Sequence, residues 1–317
     1  MPVLPALRPF FDAINAPRPP QPDLPPAEAR AAMHAMIDKT YGANRASVAP
    51  VASERDYRVP VDGGEITVRV YRPAEAPSPA PCYVHIHGGG FWLGTLDQSD
   101  AGCRTLARDV GCVVVSVDYR LAPEAKFPSA AEDSYAALLW VADQADELRV
   151  DRSRIAVGGG SAGGNLAAVV ALMARDRAGP ALVMQVLEIP VTDFTRMEPL
   201  SFPQEDLAVR SGKDQYGGFY LASPADATNP YASPLLAPDL GGLPPALVMT
   251  AEYDPLRAEG DAYAKRLADA GVAVEHRCWE GQFHGSQSMA TLIPAEAAAY
   301  RAQIAGALRR AFGTGGA

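Results

Sequence analysis

Six short runs of β-branched and apolar residues recur along this chain, with helical segments between most of them, and that rhythm restricts the fold more than any other feature. They are "CYVHIH" (82–87), "CVVVSVDY" (112–119), "RIAVGG" (154–159), "ALVMQVLEIPV" (181–191), "PALVMTAEYD" (245–254) and "VAVEHRCW" (272–279). Segments such as "SAAEDSYAALLWVADQADEL" and "LRAEGDAYAKRLADAG" carry helical patterns between them. Strands that are apolar throughout and alternate with helices predict a mostly parallel sheet buried on both faces. Upstream, "YRVPV" and "EITVRVYRP" alternate apolar and polar residues around "DGG", the pattern of an antiparallel hairpin, so the sheet is expected to be mixed. Two helical segments, "LPALRPFFDAINA" and "PPAEARAAMHAMIDKTYG", precede that hairpin across a proline-rich linker. Residues 192–244 offer no clear strand, and an insertion of that length is expected to carry its own helices or a lid.

The third run leads into "RIAVGGGSAGGNLAAVVALMAR" (154–175), in which a strand breaks into glycines around one serine and resumes as a helix. Gly158, Gly160 and Gly163 satisfy G-x-G-x-x-G, a turn that offers a helix N-terminus to a dinucleotide pyrophosphate. Gly159, Ser161 and Gly163 equally satisfy G-x-S-x-G, the turn that lifts a nucleophilic serine above a parallel sheet. The two readings make different demands on the rest of the chain. A dinucleotide turn normally opens its domain, whereas several strands precede this one, although Glu188 could stand as its ribose-binding acid. A P-loop is excluded because no Gly-Lys-Ser/Thr follows the glycines.

A serine hydroxyl is a weak nucleophile unless a base takes its proton, a third group holds the base, and an oxyanion cradle faces it. All three have candidates, in the chain order such a site requires. In "HIHGGGFWLG", His87 is followed by Gly88, Gly89 and Gly90, whose backbone amides can turn toward a ligand without Cβ obstruction. The amides of Gly89, Gly90 and Ala162 are the expected oxyanion donors; the competing reading of the glycines is an ordinary strand-ending turn. His87 is expected to bond the loop backbone and His85 to be structural. In "PALVMTAEYDPLRAEG", Asp254 follows a late strand and precedes a helix opened by Pro255, so it is equally an N-cap candidate, with Glu252 as the reserve acid. In "VEHRCWEGQFHGSQ", His284 lies beside glycine after the last strand, whereas His276 falls inside that strand and reads as structural. The spacings are 74 residues from His87 to Ser161, 93 to Asp254 and 30 more to His284, and the combination is far more specific than any one motif.

Charge and cysteine usage exclude other classes. A net charge of -9 leaves no basic surplus for nucleic-acid phosphates or anionic lipid. Cys82, Cys103, Cys112 and Cys278 lack C-x-x-C spacing, so neither a zinc site nor a disulfide scaffold is expected, and no metal or cofactor is implied. The N-terminal stretch is a poor signal peptide, and no run of about 18 apolar residues could span a membrane. A cytoplasmic protein is expected.

Through "HIHGGGFWLG", "VVSVDYRLAPEAKFP", "GGGSAGGNLA", "ASPLLAPDLGGLPPALVMTAEYDPLRAEGDAYAKRLADAG" and "FHG", the sequence resembles the hormone-sensitive-lipase-like (bacterial family IV) carboxylesterases over about residues 55–290. That resemblance implies an α/β-hydrolase fold: a mostly parallel eight-stranded sheet with helices on both faces and a helical cap. The implied layout is cap helices in 1–45, core in 46–191, a cap insertion in 192–228 and the rest of the core in 229–317. It implies nucleophile Ser161, acid Asp254, base His284, oxyanion donors Gly89, Gly90 and Ala162, and His87, Gly88, Gly159, Gly160 and Gly163 as motif support. The activity implied is cofactor-free hydrolysis of short- to medium-chain esters through an acyl-enzyme. An amidase, deacylase or arylesterase with the same triad, or a non-catalytic ligand-binding relative, is the alternative. A homodimer through the last strand and helix is implied as well. Three features depart from the family pattern. Gly160 stands where Asp or Thr is usual, "EGQFHGSQ" is more polar than the usual histidine loop, and "DQYGGFYL" has glycines where bulky aromatics are commoner.

Overall fold

The computed structural model describes residues 2–16, 24–195, 200–202, 207–209 and 213–314. Its strands are β1 (Ser53–Val61), β2 (Gly64–Arg72), β3 (Ala80–Ile86), β4 (Val113–Asp118), β5 (Val150–Gly160), β6 (Met184–Glu188), β7 (Leu200–Phe202), β8 (Leu207–Val209), β9 (Ala246–Tyr253) and β10 (Val274–Phe283). Its helices are α1 (Arg8–Asn15), α2 (Pro26–Ser47), α3 (Leu96–Val110), α4 (Ser129–Asp143), α5 (Ala145–Leu148), α6 (Ala162–Asp176), α7 (Lys213–Tyr220), α8 (Arg257–Asp269) and α9 (Pro294–Phe312). Eight strands form one sheet in the order β1-β2-β4-β3-β5-β6-β9-β10. The β1–β2 hairpin is antiparallel and β2 pairs antiparallel with β4, while every pairing from β4 to β10 is parallel.

Strand alternation divides the core in two. Val84, Ile86, Val115, Val117, Ile155, Val157 and Leu187 point to one face, under the buried α6 side chains Leu166, Val169, Val170 and Met173. Tyr83, Val114, Ala156, Val186 and Met249 point to the other, where Cys103 and Ala107 of α3 and Tyr300, Ile304 and Leu308 of α9 cover them. Each buried Val, Ile, Leu or Met among them contributes about 1.5–3 kcal/mol through burial, on both faces of the sheet. From Ala162 to Ala174 α6 is buried all round, which is why its sequence shows almost no polar face. In α3, Thr95 Oγ1 accepts from the Gln98 N–H at 3.2 Å, and Gly111 closes the helix at φ 72 with its N–H on Ala107 O at 2.9 Å.

Several boundaries differ from the sequence pattern for local reasons. The fourth apolar run stops pairing at Glu188, because Ile189 turns at φ 41 and Pro190 has no N–H to donate. β10 continues past Trp279 to Phe283, with its register to β9 shifting between those residues. The expectation of a strandless interval after residue 192 is corrected by the two-stranded antiparallel sheet β7–β8, whose three-residue strands are too short to show a period. α2 passes through Gly42 to Ser47. Within the two expected cap segments, residues 1, 17–23, 196–199, 203–206 and 210–212 lie outside the described residues.

Candidate active site

β5 ends at Gly160, Ser161 takes φ 58 and ψ -114, and α6 begins at Ala162. This backbone is strained for a non-glycine residue, and the Ser161 N–H on Glu188 O at 2.8 Å helps hold it. A Cβ on either Gly159 or Gly163 would collide with the Ile86 carbonyl oxygen. The G-x-S-x-G spacing is thus a three-way contact among β3, β5 and α6 that only glycine permits.

Ser161 Oγ lies 3.0 Å from His284 Nε2, and His284 Nδ1 lies 2.7 Å from Asp254 Oδ2. The second carboxylate oxygen, Oδ1, accepts the Leu256 N–H at 2.8 Å. Asp254 therefore closes the turn before α8 with one oxygen and faces the histidine with the other; the expectation of a helix opened by Pro255 with Asp254 as its N-cap is corrected, since α8 begins at Arg257 and Leu256 holds the N-cap position. Asp254 is 1% exposed. Burial alone would lower the His284 pKa, but the charge and hydrogen bond of Asp254, with the charge of Glu259, outweigh it and raise the imidazole above its ordinary value. Glu252 is placed elsewhere, its Oε2 accepting the Gly281 N–H at 2.7 Å. His276, 35% exposed on β10, contacts Asp261 Oδ1 at 3.0 Å and stays away from the serine.

The glycine loop after β3 sits against this group. Gly89 and Gly90 have φ 118 and 60, which a side chain would resist. Gly89 O accepts from Trp92 and Leu93 at 3.2 and 2.9 Å, closing the loop on itself, and a Cβ on Gly88 would come within 2.7 Å of Gly160 O. Ala162 opens α6, where backbone N–H groups have no carbonyl one turn earlier in the helix. His87 is buried with Nδ1–H on Gly88 O at 2.8 Å, and its ring stacks on Tyr119 at 4.3 Å. Burial pushes its pKa down to about 4, so it serves the loop as a neutral imidazole.

Residues that sequence reasoning did not single out complete the site. From α2, Arg30 donates to Trp92 O at 2.7 Å and Ala122 O at 2.5 Å and pairs with Glu124, while His34 Nε2 accepts the Gly94 N–H at 3.2 Å. These bonds join segments 60 to 94 residues apart, and no local pattern announces them. Ser161, His284 and the glycine loop open into a cavity of about 900 Å³ with Phe11, Tyr216, Tyr253 and Phe283 on its apolar wall. His85, expected to be structural, lines the same cavity, as do Ser99 and Glu188. Among the described residues there is no group of three His, Cys, Asp or Glu side chains able to hold a metal, and no helix long and apolar enough to cross a membrane.

Over residues 83–288 the chain matches the family described as alpha/beta hydrolase fold. It is 46% identical over 238 residues to "Carboxylic ester hydrolase LipN" of Mycobacterium tuberculosis, covering 73% of this chain and 63% of that protein. It is 44% identical over 253 residues to "Carboxylesterase NlhH" of the same species, covering 78% of this chain and 79% of NlhH. The structure of a hyperthermophilic esterase from Pyrobaculum calidifontis superposes with a TM-score of 0.87 at 42% identity, covering 98% of this chain and 99% of that one. The thermostable carboxylesterase EstE1, cloned from a metagenomic library, superposes with a TM-score of 0.82 at 43% identity, covering 92% and 99%.

Proposed function

The chain belongs to the hormone-sensitive-lipase-like family of α/β hydrolases, and on that premise we propose that it is a serine carboxylesterase acting on short- to medium-chain esters. The observation that carries the reading is the continuous relay of 3.0 and 2.7 Å contacts from Ser161 through His284 to Asp254, opening onto a glycine loop with positive φ angles. His284 Nε2 takes the Ser161 proton as Oγ attacks the ester carbonyl carbon, and the carbonyl electrons move to oxygen. The amides of Gly89, Gly90 and Ala162 hold that oxyanion. Collapse expels the alcohol, which takes its proton from His284, and leaves an acyl group on Ser161. Water, deprotonated by the same imidazole, then releases the acid. Ser161→Ala should abolish hydrolysis of p-nitrophenyl butyrate in a protein that still melts cooperatively; full retained activity would sink the assignment.

The same reading treats α1, α2 and the 192–228 insertion as a cap around the core segments 46–191 and 229–317. Phe11 of α1, packed on Tyr253 and Phe283 at ring distances of 5.5 and 5.7 Å, supports this for the first helix. It also takes the protein as cytoplasmic, in keeping with four unpaired cysteines of which three are buried. A homodimer through β10 and α9 is supported by the position of β10 at the edge of the sheet.

A further inference from the structure

Each of the three glycines closing β5 has a different neighbour. A Cβ on Gly159 would strike Ile86 O, and one on Gly158 would overlap the Tyr83 hydroxyl, whereas one on Gly160 would meet nothing nearer than Glu188 Cβ at 3.9 Å. Gly160 pairs with Glu188 across β5–β6 and Gly158 pairs with His85 across β3–β5, so these positions share one face at the strand ends. The empty side-chain position at Gly160 leaves the Glu188 side chain lining the catalytic cavity beside Ser161, next to His85 and Ser99.

Glu188 has no part in the proton relay, and among the described residues no cation is paired with it. Burial pushes its carboxyl up to about 7, and the Tyr300 hydroxyl, the one group favouring its charge, does not offset that. His85 cannot serve as counter-ion, because burial, then the neighbouring His87, push it down to about 4 and keep it neutral. Behind the recess, the Tyr83 hydroxyl is buried with no hydrogen-bond partner among the described residues. Desolvation favours the neutral form of an acid held on a cavity wall without a counter-charge, and a ligand cation seated against it would stabilise the ionised form.

We propose that the Glu188 side of the cavity is a cation subsite, and that the esters this enzyme takes best carry an ammonium group on the arm lying over Gly160. The reaction rests on the serine-esterase reading above; the subsite rests on Gly160, Glu188 and His85. A carboxyl at position 160, beside Glu188, would place two like charges on neighbouring strands, and the glycine avoids that while leaving room for the ligand.

The test uses ester pairs identical in shape and different in charge. p-Nitrophenyl 4-(trimethylammonio)butyrate is compared with p-nitrophenyl 5,5-dimethylhexanoate, and choline butyrate with 3,3-dimethylbutyl butyrate, which places the charge on the acyl or the alcohol arm. On one arm the cationic ester should have a kcat/KM on the order of 10-fold or more above its neutral partner, since a cation beside a poorly solvated carboxylate is bound more strongly than a neutral group. Glu188→Gln should bring that ratio to about one, and Glu188→Asp should keep part of it. Each ratio comes from a single preparation, so loss of folded protein cancels. With no variant at all, choline should inhibit the native enzyme competitively at concentrations where 3,3-dimethylbutanol does not. Ratios near one on both arms, or a ratio that survives Glu188→Gln, overturn the subsite. Neutral-ester turnover that survives Ser161→Ala overturns the esterase reading instead.

Discussion

Replacing Asp254 with asparagine tests the relay most directly, because the structure dictates how the new amide must lie. Asp254 Oδ1 accepts the Leu256 N–H at 2.8 Å and Oδ2 meets His284 Nδ1 at 2.7 Å. An asparagine keeps the first bond only if its oxygen faces Leu256, and its NH2 then donates to Nδ1. That forces the imidazole proton onto Nε2, 3.0 Å from Ser161 Oγ, where the nitrogen can no longer accept the serine proton. Flipping the amide restores the useful tautomer but sets NH2 against the buried Leu256 N–H, at about 1–3 kcal/mol for an unsatisfied donor. Even then the imidazolium formed in the transition state lacks its carboxylate, and a charge-assisted hydrogen bond is worth about 1.5–3 kcal/mol. Together these amount to about 3–6 kcal/mol, or a fall in kcat of roughly 10²–10⁴ at about 1.4 kcal/mol per decade. Steady-state kinetics on p-nitrophenyl butyrate measure it, with a thermal melt to establish that the variant is folded. A loss below 10-fold in kcat, or one expressed only in KM, would refute the reasoning.

The raised His284 pKa implies that kcat/KM climbs with pH through a midpoint above 6.5, because the protonated imidazole cannot act as a base; in Asp254→Asn, where burial is less opposed, the residual activity should show a lower midpoint. A pH profile with its midpoint below 6.5 in the native enzyme would contradict the assigned balance of burial and charge. Gly159→Ala and Gly163→Ala should each cost about 1–3 kcal/mol against the Ile86 carbonyl, lowering Tm by several degrees, while Gly160→Ala meets only an ordinary contact and should leave Tm within about 2 °C. Equal melting curves for all three would remove the packing explanation of the motif. Arg30→Ala leaves the Trp92 and Ala122 carbonyls unpaired and should lower kcat more than it raises KM, with faster hydrogen exchange in residues 89–94; unchanged exchange there would separate α2 from the glycine loop.

The features legible in the sequence are those decided by near neighbours. The apolar runs 82–87, 112–119 and 245–254 fall on β3, β4 and β9 because each is buried on both faces and needs no partner to be recognised. The serine turn is equally local, since strand, glycines and helix follow one another in the chain. Long-range placement is what the sequence withholds. That Asp254 and not Glu252 reaches His284 depends on where β9 ends relative to β10, and the shift between Trp279 and Phe283 in their pairing is invisible in either strand alone. His85 looks like any inward strand residue until the open side-chain position at Gly160, on a different strand, is placed on the same face and both line one cavity. The β7–β8 pair escapes for a different reason, because three residues are less than two periods of alternation.

With Ser161 as the proposed nucleophile, its positive φ also limits which nucleophiles this chain could carry. At φ 58 a β-branched side chain is a steric outlier, so threonine, a competent nucleophile on other scaffolds, is shut out by the backbone before its chemistry is tested. Cysteine, unbranched at Cβ, fits the same geometry. Variation at this position is therefore channelled toward sulfur, and the turn acts as a filter on the enzyme's accessible chemistries.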